Sequence, residues 1–142
     1  MIKSVSIGEE LVITTGNKVG LLADIAQMLA NQGINIESAL GYESGNTAKL
    51  MIVTNANLAI LGELKKKKYK SVKETEVVVV ELENKPGALK VVTTELGKAG
   101  IDIKYLYVTS PSPSVSGSHM VIQTSDNEKA MALLSKYVNS KA

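Results

Sequence analysis

Asn17-Lys18-Val19-Gly20-Leu21-Leu22 and Asn84-Lys85-Pro86-Gly87-Ala88-Leu89 are two versions of one string, and aligning them lays the first half of the chain on the second. Downstream, without a gap, Leu29 meets Leu96, Gly33-Ile34 meets Gly100-Ile101 and Ile36 meets Ile103. Upstream, Lys3-Ser4-Val5 meets Lys70-Ser71-Val72 and Glu9 meets Glu76, so the repeated unit starts at the beginning of the sequence. A sustained internal offset is the signature of duplicated supersecondary units.

Each copy reads as β-α-β-β-α. Leu11-Val12-Ile13-Thr14-Thr15 and Val77-Val78-Val79-Val80-Glu81-Leu82 are short β-branched runs that suit central strands. A helix follows each, with Leu22, Ile25, Met28 and Leu29 predicted on one face in the first copy and Leu89, Val92, Leu96 and Ala99 in the second. Gly33 and Gly100 stand where those helices stop, as left-handed C-terminal caps. The period then changes to two at Ile34, Ile36, Ser38, Leu40 and at Ile101, Ile103, Tyr105, Tyr107. A third strand is predicted at Lys49 to Thr54 and at His119 to Thr124, then a second helix from about Asn57 and from about Asn127.

This order predicts an α+β fold of two tandem ferredoxin-like βαββαβ domains, residues 1–72 and 73–142, each an antiparallel sheet with its helices on one face. The last strand of the first copy is supplied by Tyr69 to Glu76, but little chain remains to supply it in the second. Because Ile2 to Ile7 is the repeat-equivalent of that strand, residues 1–8 are expected to pair into the second domain and complete it.

The loop before each first helix carries the most chemistry. A helix N-terminus offers unpaired N–H groups and partial positive charge, which suit a carboxylate. Gly20 and Gly87 would let a ligand approach the main chain, Pro86 presets the backbone, and Asn17 and Asn84 present both a donor and an acceptor. The plainer alternative is that the asparagine caps the helix and the glycine makes the turn.

Glu83-Asn84-Lys85-Pro86-Gly87-Ala88-Leu89 with Ala99-Gly100-Ile101-Asp102-Ile103 closely resembles the ACT domain, a small-molecule sensor appended to many enzymes of amino-acid metabolism. The first copy, with Gly33-Ile34-Asn35-Ile36, resembles a second one, so that the chain is similar to the stand-alone tandem ACT proteins. The resemblance implies an amino acid or similar ligand held between ACT domains, by the loop asparagine of one and the strand-start residue of its neighbour. Carried over by position, the candidate ligand residues are Asn84, Lys85, Pro86, Gly87 and Ala88 with Asn35 and Ile36, and Asn17, Lys18, Val19, Gly20 and Leu21 with Asp102 and Ile103. Val19 replaces the family's proline, and Asp102, when ionised, accepts but does not donate hydrogen bonds, so the pairing of Asn84 with Asn35 is expected to be the stronger site.

Composition narrows the rest. Across 142 residues there is no cysteine and a single histidine, which leaves no disulfide framework, no thiolate chemistry and little for a metal site; no cofactor and no catalytic residues are expected. No apolar run is long enough to span a bilayer, so membrane association is not expected and a cytoplasmic location is. A net charge of +2 does not draw the whole molecule to nucleic acid. The Lys65-Lys66-Lys67-Lys68 run with Lys70 and Lys73 reads as a solvated helix end before a phosphate-contacting patch, and the chain lacks the Phe and Trp on which RNA-binding sheets stack bases. Tyr105 and Tyr107 share a sheet face and read as packing or interface surface, while His119 reads as a surface histidine. Thr109 to Ser118, rich in serine and proline, reads as a mobile loop. The expected function is a ligand-binding regulator, homodimeric, acting on an unknown protein partner; the alternative is an assembly module without a small ligand, and a nucleic-acid binder is a remote third.

Overall fold

The two longest apolar runs extend further than short strands require. In a computed structural model, which describes residues 1–16, 18–109 and 117–140, β1 covers Ile2–Gly16 and β4 covers Ser71–Glu83, so the paired short strands read from sequence on each side of Glu9 and Glu76 are each one continuous strand. No proline interrupts either run, and β1 passes tightly by β4 at Gly8, where a Cβ would come within 2.9 Å of the Val79 side chain. The remaining elements are α1 (Leu21–Asn31), β2 (Ile36–Ser44), β3 (Thr47–Thr54), α2 (Asn57–Lys66), α3 (Ala88–Lys98), β5 (Ile103–Thr109), β6 (Gly117–Thr124) and α4 (Asn127–Ser135). Of the predicted loop from Thr109 to Ser118, Thr109 ends β5 and Gly117 and Ser118 begin β6, while residues 110–116 and Asn17 lie outside the described residues.

The chain divides into two compact units, Glu9–Thr75 and Met1–Gly8 with the residues from Glu76 onward. In the first the strand order is β2-β3-β1-β4, and in the other β1-β4-β6-β5, which is one ferredoxin-like order met twice. The first segment of β1 therefore fills the place of the missing last strand in the C-terminal unit. Ile2 is 1% exposed within that unit's core, the Glu83 N–H donates to the Met1 carbonyl at 2.8 Å, and Ile2 forms a parallel bridge to Val138 just after α4.

Each unit has its own core on the helix-bearing side of its sheet. Leu11, Ile13, Leu50 and Ile52 meet Ile25 and Leu29 of α1 and Ile60 and Leu64 of α2. Val78, Val80, Leu82, Met120 and Ile122 meet Ala88, Val92 and Leu96 of α3 and Ala130 and Leu134 of α4. Burying a side chain of this size stabilises the fold by about 1.5–3 kcal/mol each. The inward helix face differs from the predicted one at its first position: Leu21 and Ala88 pack inward, whereas Leu22 and Leu89 are 50% and 45% exposed. At 100° per residue, Leu21, Ile25 and Leu29 align with the core, and a leucine one step later is turned to the flank. Gly33 and Gly100 follow their helices at φ 69 and 70, as the cap reading requires. No helix among the described residues is long and apolar enough to cross a membrane.

Candidate functional site

The two β–α loops are built alike. Leu21 donates its N–H to the Lys18 carbonyl at 3.3 Å, and Ala88 does the same to Lys85 at 3.3 Å, closing one turn just before each helix. Gly20 at φ 88 and Gly87 at φ 89 are the N-cap residues. A residue with a Cβ pays about 1–2 kcal/mol in this left-handed region, which is why glycine stands there. The cap position thus falls to glycine, and in the second loop this corrects the reading of Asn84 as the cap. A helix N-terminus of this kind carries partial positive charge, which favours anions.

The strand-start residues are held by a second repeated device. Asn35 and Asn55 exchange bonds, the Asn35 N–H donating to the Asn55 side-chain oxygen at 3.1 Å and the Asn55 N–H to the Asn35 carbonyl at 3.2 Å. Asp102 and Ser125 repeat it, at 3.0 and 2.9 Å. Behind each pair, Asn57 and Asn127 tie three segments together. Asn57 Oδ1 accepts from the Thr54 N–H and hydroxyl while its Nδ2 donates to the Glu9 carbonyl at 2.8 Å. Asn127 does the same with Thr124 and with the Glu76 carbonyl at 2.9 Å. The backbone of Asn35 and Asp102 is fixed in this way, and their side chains are exposed.

Of the ligand residues expected from sequence, Lys18, Val19, Gly20 and Leu21 with Asn35 and Ile36 belong to the Glu9–Thr75 unit, and Asn84 to Ala88 with Asp102 and Ile103 to the other. Asn17 is outside the described residues. Leu21, Ile36 and Ile103 pack against the cores, and Ala88 is buried in one, so their side chains serve packing. Val19 is fully exposed.

An ACT domain family model matches residues 10–66, the stretch holding the first loop, α1, the β2–β3 pair and α2. That stretch, two-fifths of the chain, is similar to ACT domains. The second repeat has the same strand order and the same loop and pinning geometry as this matched stretch. A crystal structure of a protein from Bacteroides thetaiotaomicron is 26% identical, with a TM-score of 0.83, covering 93% of this chain and 89% of that one. The ligand-free regulatory subunit of aspartate kinase from Thermus thermophilus is 12% identical, TM-score 0.66, over 96% of this chain and 98% of that one. The aspartate kinase of Clostridium acetobutylicum is 19% identical, TM-score 0.59, over 97% of this chain and 34% of that one. At these identities the two kinases share the fold. No curated protein matches the sequence.

The two β–α loops differ in their surroundings. In the second repeat Lys85 pairs with Glu83 at 2.7 Å, the Met1 ammonium lies 3.6 Å from the same carboxylate, and the Met1 methyl group is 3.6 Å from where a Cβ on Gly87 would be. The hydrogen bond from Lys85, with its charge and that of the ammonium, lowers the Glu83 carboxyl below the usual carboxylate range against a smaller opposing effect of burial. In the first repeat Gly16 stands where Glu83 stands, and a cleft of about 300 Å³ opens beside Lys18, between Leu21, Leu22 and the β2–β3 residues Tyr42 and Leu50.

Two features escaped the sequence reading. The Thr54-x-x-Asn57 and Thr124-x-x-Asn127 pins are a repeat visible only when the offset lengthens to absorb the longer β5–β6 connection. Ser38, on β2 close to Asn35, buries its hydroxyl without a hydrogen bond. Alternation placed Ser38 on the strand, but nothing in composition marks a buried hydroxyl as unsatisfied. Among the described residues no group of side chains is placed to hold a metal ion.

Proposed function

We propose that this protein is a regulator that binds an amino acid or a similar small molecule through its ACT loops, at an interface between ACT repeats. Asn84 and Asn35 form the stronger site in this reading, and Asn17 with Asp102 the weaker. The observations that carry it are two duplications: one loop with a left-handed glycine at the head of each first helix, and one strand-start residue after each helix whose backbone is pinned and whose polar side chain is exposed. The ligand's carboxylate would meet the loop amides and its ammonium the strand-start side chain. Binding would favour one arrangement of the repeats, or of a homodimer, which a regulated protein in the cytoplasm reads.

A thermal-shift screen against the twenty amino acids tests this. A ligand specific for the native state at 100 times its Kd adds about 2.7 kcal/mol, which in a chain of this size raises Tm by several degrees. The shift should be selective and should fall further in Asn84→Ala than in Asn17→Ala; equal losses would refute the ranking of the sites. The assembly-module reading has its own support in Leu22 and Leu89, apolar and half-exposed at the same place in both repeats. Absence of any shift at millimolar ligand, with Leu22→Ser dissociating an oligomer in sedimentation, would favour that reading instead.

A further inference from the structure

On the other side of Lys18, wholly within the Glu9–Thr75 unit, lies a cleft of about 380 Å³, of the size that small ligands use. Its polar lining is Thr15, Lys18, Asp24, Lys67, Lys68 and Tyr69, over an apolar base of Leu21 and Met28. The lysines reach it for a local reason. α2 ends at Lys66, Lys67 turns the chain to extended backbone at ψ 157, and the connection into β4 carries Lys67 and Lys68 to the cleft while Lys65 and Lys66 stay in the last helical turn.

We propose that this cleft binds a small dianion, a dicarboxylate or a phosphate monoester. Three lysines and one aspartate are among its lining residues, a surplus of two positive charges. Thr15 and Tyr69 add neutral hydroxyl donors of the kind that orient an anion. Partial burial, with the Asp24 charge beside it, raises the Tyr69 phenol above its ordinary range, so the hydroxyl keeps its proton and donates. Asp24 sets a limit, since it opposes anions that do not bring enough charge to engage the lysines. The cleft shares Lys18 and Leu21 with the weaker of the two amino-acid sites, but Asn84 and Asn35 of the stronger one are not among its lining residues.

The test is calorimetric titration of the full chain with inorganic phosphate and, separately, succinate, at ionic strength matched with sodium chloride. Saturable binding of at least one probe is expected. In Lys67→Gln/Lys68→Gln it should weaken by at least about tenfold, and in Lys65→Gln/Lys66→Gln by less than about twofold. All four lysines are exposed, so both variants should fold, which a melting curve checks. A preference for phosphate identifies a phosphoryl ligand and a preference for succinate a dicarboxylate; either supports the site. Equal weakening in both double variants would show a diffuse field from the lysine run, and no saturable binding of either probe would leave no site; each result overturns the proposal. Asn84→Ala should bind phosphate as the parent does, which separates a failure here from a failure of the amino-acid reading.

Discussion

Lys18 and Lys85 hold the same place in two copies of one loop, with the same turn before the helix and the same left-handed glycine. Lys85 is engaged by Glu83, and the N-terminal segment packs beside it; Lys18 has Gly16 in place of that carboxylate and lines two clefts instead. One substitution in the last position of the preceding strand therefore separates a braced loop from an open one. Duplication supplies the same turn and the same left-handed glycine, and the carboxylate at the margin of the second loop engages a lysine that in the first loop lines the clefts.

The largest difference between the repeats lies in how each obtains its last strand. The C-terminal unit takes it from residues 1–8, with Ile2 fully buried, whereas the first unit uses the half-buried Tyr69 at the equivalent position. Deleting residues 1–8 should strip hydrogen-exchange protection from residues 77–137. The milder Ile2→Ala should cost about 2–5 kcal/mol, and Tyr69→Ala less. Full protection of 77–137 in the truncated chain would break the comparison, because the strand would then be dispensable.

The Asn57 and Asn127 pins make the opposite forecast, of equality. Each joins the start of a helix, the end of a strand and the Glu9 or Glu76 carbonyl, so Asn57→Ala and Asn127→Ala should each cost about 1–3 kcal/mol in denaturant titration. Unequal costs would mean that the units do not share one architecture energetically. These pins also show where sequence reading reaches. Strand and helix order, the left-handed glycines and the role of the first strand were legible because hydrophobic period and repeat register report directly on burial. The helix flank at Leu22, the continuity of β1 through Gly8-Glu9-Glu10 and the unpaired Ser38 hydroxyl were not, since each depends on which neighbours fold against the residue. The loop asparagines stood out as motif, yet the Lys67-Lys68 cleft was hidden within a run of four lysines that only the end of α2 divides.

Gly20→Ala and Gly87→Ala sharpen the likeness of the two turns. Both backbones are left-handed, and the new methyl would meet open space at Gly20 and an ordinary contact with Met1 at Gly87. Each should cost about 1–2 kcal/mol, equal within a few tenths. A much larger loss at Gly87 would show that the packing of Met1, more than φ, sets the demand for glycine there.

The smallest effect is the most specific to the braced loop. Glu83 has a lowered pKa in the folded protein, so whatever stability its contacts contribute is present above the ordinary carboxylate range and is lost as pH falls through the lowered value. Melting curves from pH 7 down to pH 3 should show Glu83→Gln slightly less stable than the parent at neutral pH, with the two converging in acid. Because Glu83 is exposed, the gap should be small and should shrink with salt. The converse change is available in the first repeat, where Gly16 has ordinary backbone and nothing within 4 Å of a new Cβ. Gly16→Glu should bring a carboxylate to Lys18, introduce the same acid-dependent increment there, and weaken phosphate binding in the adjoining cleft. If Gly16→Glu leaves phosphate binding unchanged, the marginal charge does not decide between the two loops, and the difference between Lys18 and Lys85 must come from the Met1 packing alone.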